Sequence, residues 1–130
     1  METNTINTAF ADSFKLRTKI QAVNIIKFLR TIKSNDEIII IKKQLIRCST
    51  SVAANYRAAC RGRSKADFIS KLGIVHKEAD EVLFWLELLK DLDMNSAELE
   101  NLLKESDEIL RIVAKSVATS RNNLKNKVKI

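Results

Sequence analysis

Apolar residues recur at alternating steps of three and four along most of this chain, the rhythm of one face of an α-helix. Ile38, Ile41, Leu45, Cys48, Val52 and Ala59 form one such series, with Asn55 set into it. Phe68, Leu72, Val75, Ala79, Val82, Leu86 and Leu89 form a second, and Leu99, Leu103, Ser106, Leu110, Val113 and Val117 a third. An earlier series runs through Leu16, Ile20, Val23, Ile26 and Leu29, without a clear start. Ser34 with Glu37 has the spacing of a capping box, and Ser64 with Asp67 and Asn95 with Glu98 give further helix starts. Gly62 is read as the stop of the second helix through the left-handed conformation that glycine tolerates. The predicted helices therefore cover about residues 13–32, 35–61, 65–92 and 96–121, with a basic tail over residues 122–130.

Links of two to four residues make successive helices antiparallel neighbours. The expected fold class is all-α, an up-down-up-down antiparallel four-helix bundle in a single domain. Composition agrees, since 130 residues without proline and with two glycines offer little of the turn chemistry that a sheet needs. No stretch approaches the roughly 18 apolar residues of a membrane span, and the first residues lack a basic region followed by an apolar run. A soluble, cytoplasmic protein is expected. Cys48 and Cys60 fall 12 residues apart on one predicted helix. That puts them about 18 Å from each other, too far to pair, since a disulfide needs Cα atoms within about 7 Å. With one histidine and no further cysteine, no metal site of soft ligands and no cofactor is expected.

Charge changes the picture once the topology is drawn. Residues 12–22, 54–76 and 109–130, which an up-down-up-down bundle brings to one pole, carry net charges of +2, +4 and +6. The other residues of the bundle are mildly acidic. Around the second helix, Lys43, Arg47, Thr50, Ala54, Arg57 and Arg61 lie opposite the apolar seam, and after Glu37 that helix holds no acid. With Arg63 and Lys65 in the adjoining turn, these cations have the electrostatic footprint of a phosphate-binding surface. The residues singled out for nucleic acid are Lys43, Arg47, Arg57, Arg61, Arg63 and Lys65.

Two residues are read as structural. Asn55 lies at a seam position, where a buried amide must find partners, so it is expected to bond a neighbouring helix and fix register. Gly73, in the middle of the third helix, is expected to permit close packing near Val52 and Ala53. A second apolar stripe on the third helix, Ile74, Trp85, Leu88 and Leu92 with Phe84, is wider than a small bundle needs. It suggests a subunit interface anchored by large aromatic side chains. His76 has no paired nucleophile and acid, and neither H-E-x-x-H nor a Walker loop occurs, so an enzyme is not expected.

Three segments carry a family resemblance: S-T-S-V-x-A-N-Y-R at residues 49–57, S-K-A-D-F at 64–68 and K-E-A-D-E-x-x-x-W-L-E-L-L at 77–89. In order and spacing the chain resembles the four-helix-bundle proteins encoded in intervening sequences of bacterial 23S ribosomal RNA genes. It is more distantly similar to the accessory variability protein of diversity-generating retroelements. The resemblance implies a ring-like homopentamer, and through the distant relative a basic surface for nucleic acid. Ala53 stands where that family often has glycine, and Ala58 where it often has glutamate. The leading expectation is a non-enzymatic oligomer that binds nucleic acid, with structured ribosomal RNA as a candidate. The competing expectation is an adaptor or scaffold whose acidic pole meets another protein and whose basic charge is incidental.

Overall fold

Three helices of the computed structural model, which describes residues 3–128, begin at a side chain that accepts a hydrogen bond from the first helical turn. The helices are α1 (Thr3–Thr31), α2 (Asp36–Cys60), α3 (Lys65–Asp91) and α4 (Ala97–Val128). The Ser64 hydroxyl accepts from the Asp67 N–H at 3.1 Å, as the sequence suggests. The other two starts shift by a residue. Asn35, not Ser34, caps α2, its Oδ1 accepting from the Ile38 N–H at 2.9 Å, while Ser34 receives the Lys42 ammonium. Ser96, not Asn95, caps α4 through the Leu99 N–H. At the end of α3, Asp93 takes the left-handed conformation (φ 64°) and the Met94 N–H returns to the Leu89 carbonyl, a Schellman closure.

Gly62 works differently from its expected role. It has no positive φ. Its constraint is space, because a Cβ there would stand 3.0 Å from the Ala59 carbonyl oxygen and 3.2 Å from Asp67 Oδ2. Gly73 also departs from expectation, since a Cβ at that position would meet nothing within 4 Å. It makes no close contact with α2.

The α1 and α4 helices run longer than their patterns indicate. Nothing after Ala97 breaks α4, which continues to Val128 through most of the expected tail, its late cations favoured by the negative end of the helix dipole. Lys129 and Ile130 lie outside the described residues.

Each helix packs on its sequence neighbours, and α1 closes the ring against α4. Antiparallel pairing is visible where Phe14 meets Tyr56 edge-on at 4.8 Å, and where Arg17 reaches Glu105 and Lys90 reaches Glu100. The core contains Ile25, Phe28, Leu45, Leu72, Val75, Leu86, Leu89, Leu99 and Val113, all buried. On α4, Leu102 and Ile109 are buried while Leu103 and Leu110 of the expected seam are only half-buried.

The α1 core face corrects the sequence reading most sharply. Leu16, Ile20 and Val23 are exposed, at 59%, 49% and 41%. Phe14, Thr18, Gln21, Ala22, Ile25 and Phe28 point inward instead. The polar pair is tolerated because the Gln21 amide donates to the Leu102 carbonyl at 3.0 Å and to Ser106 Oγ at 2.9 Å, and Thr18 donates to the Lys15 carbonyl.

The two glycines should therefore respond in opposite directions to alanine. Gly73→Ala is expected to raise the unfolding free energy by up to about 1 kcal/mol, the helix-propensity difference, and Gly62→Ala to lower it. Urea denaturation of both variants checks this. A destabilised Gly73→Ala would mean that another surface covers that helix face.

Candidate nucleic-acid interface

With Ile38, Ile41, Leu45, Cys48, Val52, Tyr56 and Ala59 buried, the opposite side of α2 faces solvent. Lys43, Arg47, Thr50, Ala54, Arg57 and Arg61 are all exposed there. The Thr50 hydroxyl donates back to the Ile46 carbonyl at 2.7 Å, so it adds no protruding donor to the surface. From Lys43 to Arg57 the helix climbs about 21 Å, and Arg61 follows one turn later.

Arg47 belongs to this face by position but not by chemistry. Its guanidinium bonds Glu78 Oε2 at 2.8 Å and Glu81 Oε1 at 3.1 Å across the α2–α3 groove, and its Nε donates to Gln44. Burial opposes its charge, yet the two carboxylates outweigh that and hold its pKa above the usual value. An acid-free α2 does not leave Arg47 unneutralised, because the acids come from α3. A helix read alone cannot show them.

Lys43, Arg57, Arg61, Arg63 and Lys65 have no ion-pair partner among the described residues. Asp67, the one acid of residues 54–76, is occupied: Oδ1 accepts from Lys71 at 2.7 Å and Oδ2 from the Arg63 backbone N–H at 3.2 Å. The Lys71 bond first, then the Arg63 bond, hold its carboxyl below the ordinary range. Arg121, at the expected end of α4, and Lys125, which the longer helix carries past that end, also stand exposed at this pole. Their net charge was legible in the sequence, but the helical placement of Lys125 was not.

Asn55 is half-buried, and its amide donates to the Ser51 carbonyl at 3.0 Å and to Ser51 Oγ at 2.8 Å. These bonds stay within α2, so the expected link to a neighbouring helix is not made. Tyr56 takes the buried position beside it.

The second stripe of α3 divides into two kinds of residue. Ile74 and Phe84 are exposed, at 45% and 55%. Trp85 and Leu88 are half-buried against the core. Phe84 meets Trp85 edge-on at 5.0 Å, and the Trp85 indole N–H is shielded from solvent without an acceptor. Leu92 at the end of α3 and Ile39, Ile40 and Ile46 on α2 add to the exposed apolar surface.

Burial pushes the Cys48 thiol up to about 12 and raises Cys60 as well, so neither is a ready nucleophile. Among the described residues no three His, Cys, Asp or Glu side chains group to hold a metal ion, and no helix is long and apolar enough to cross a membrane.

A family model described as 23S rRNA-intervening sequence protein matches residues 13–115. Among solved structures, a protein of unknown function from the S23 ribosomal protein family of Bacteroides thetaiotaomicron is 33% identical, with a TM-score of 0.71. The match covers 79% of this chain and 96% of that one. No curated protein matches the sequence.

Removing Arg47 should show its structural role. Arg47→Met leaves the nearly buried Glu78 carboxylate without its partner and is expected to cost on the order of 1 kcal/mol. Arg57→Met breaks no bond and should leave stability unchanged. Equal effects on the denaturation midpoint would contradict the distinction.

Proposed function

Because this chain belongs to the 23S rRNA-intervening sequence protein family, we propose that it is a non-enzymatic, oligomeric nucleic-acid-binding protein, with structured ribosomal RNA as the candidate ligand. The observation that carries the reading is the set of exposed, unpaired cations at one place: Arg57 and Arg61 on α2, then Arg63 and Lys65 in the turn, with Lys43 farther along the same face. Unpaired cations are the groups that exchange their counterions for phosphates. Arg47 drops out of this set because its charge is already spent on Glu78 and Glu81.

The oligomer part of the reading is supported by apolar surface that one bundle leaves uncovered. Ile74 and Phe84, which are exposed, would anchor the contact, with Trp85 and Leu88 half-buried beneath them. Five copies is the number that the family resemblance implies.

Two measurements test the proposal. Charge reversal at Arg57 and Arg61 is expected to weaken RNA binding far more than reversal at Lys33 and Lys104, which changes the net charge equally at the other end of the bundle. The log–log salt slope should fall by about 0.7 to 0.9 for each phosphate contact removed. Equal losses from the two double variants would remove the localised surface and leave the adaptor reading in its place.

Light scattering at micromolar concentration is expected to give a multimer, and Phe84→Glu to reduce its mass. A wild-type monomer would refute the oligomer.

A further inference from the structure

At the middle of the bundle the four helices meet around polar groups that the apolar pattern does not require. Thr18 and Gln21 from α1, Ser49 from α2 and Ser106 from α4 line one small cavity whose remaining walls are apolar, Ala79 and Val82 of α3 among them. Its volume is about 20 Å³, enough for one water molecule and too small for an organic ligand. All four polar side chains are buried, Ser49 at 3% exposure.

The hydroxyls in this layer are unevenly served. Thr18 gives its proton to the Lys15 carbonyl, so its oxygen can still accept. Ser106 Oγ accepts from Gln21 Nε2, which leaves the serine's own proton to give. Ser49 Oγ has no hydrogen-bond partner among the described protein groups, although a helical serine can usually turn back to a carbonyl one turn earlier. A fully buried hydroxyl without a partner is rare in folded proteins, and where one lines a cavity of this size water normally fills it.

We infer that this layer is a specific binding site for a single buried water molecule, held by the Ser49 hydroxyl together with the hydroxyls of Thr18 and Ser106. The lining offers one acceptor and two donors, within the two to four hydrogen bonds that buried waters make. The site also has a mechanical consequence. Gln21, Ser49 and Ser106 reach one level in only one register of α1, α2 and α4, and a slip of one turn would part Gln21 from Ser106 and leave both against hydrocarbon. The water is thus part of what docks α1, whose contact with α4 is the slightest of the four helix pairings.

Oxygen-17 relaxation dispersion tests the site, because it reports long-lived water itself and not exchanging hydroxyl protons. The wild-type protein should carry an amplitude that exceeds that of Ser49→Val by one long-lived water, the valine methyls occupying the space and removing the hydroxyl. Identical amplitudes in two folded proteins would overturn the assignment. Should Ser49→Val fail to fold, a wild-type crystal structure at high resolution decides alone. An ordered water within hydrogen-bond distance of Ser49 Oγ is the expected result, and a dry cavity overturns it.

Discussion

At Gly62 the chain turns so tightly that a Cβ would stand 3.0 Å from the Ala59 carbonyl, and this turn lays α3 back along α2. Much of the molecule depends on that pairing. It buries Leu45, Cys48 and Val52 of α2 against the core together with Leu72, Val75 and Ala79 of α3. It brings Glu78 and Glu81 within reach of Arg47. It also fixes which side of α2 is left for solvent, and so for a partner. The same turn gathers Arg61, Arg63 and Lys65 where α2 ends and α3 begins, with Asp67 held by Lys71 and the Arg63 backbone. The charge of that corner is therefore a by-product of neither helix alone.

Packing and polarity are distributed unevenly around the bundle. The α2–α3 and α3–α4 contacts bury mostly apolar side chains, joined by the ion pairs of Arg47 with Glu78 and Glu81 and of Lys90 with Glu100. The α1–α4 contact relies on directed interactions: Gln21 on the Leu102 carbonyl and Ser106, and Arg17 on Glu105 and Glu108. The hydrogen bond to Glu105, opposed by burial and then joined by the bond to Glu108, keeps the Arg17 guanidinium more firmly protonated than usual. Polar contacts of this kind specify register more than they add stability. Beside them α1 buries Phe14, Ala22, Ile25, Phe28 and Leu29, while Leu16, Ile20 and Val23 stay on its outer face.

Much of the fold was legible in the sequence wherever a helix's strongest apolar stripe is also its core face. That holds for α3 with its Ser64 cap and for most of α2, where Tyr56 and not Asn55 takes the buried position. It fails for α1, because Thr18 and Gln21 face inward and the residues able to satisfy Gln21 lie 81 and 85 positions later. The candidate site divides on the same ground. Lys43, Arg57, Arg61, Arg63 and Lys65 are exposed and have no ion-pair partner among the described residues, as a count of charges along α2 and its turn suggests. Arg47 is not, since its acids belong to another helix. Asn55 and Gly73 were misjudged for a related reason: each was assigned a contact across helices that the tertiary packing does not make.

If the cations of α2 and its turn form a surface for nucleic acid, the protein purified from cells should bring that ligand with it. Under native, low-salt purification it should carry nuclease-sensitive material with a raised absorbance ratio at 260 over 280 nm. Ultraviolet crosslinking followed by peptide mapping should place the attachment within residues 50–65. A preparation free of nucleic acid, or crosslinks concentrated on the acidic stretch of α3 and α4, would contradict it.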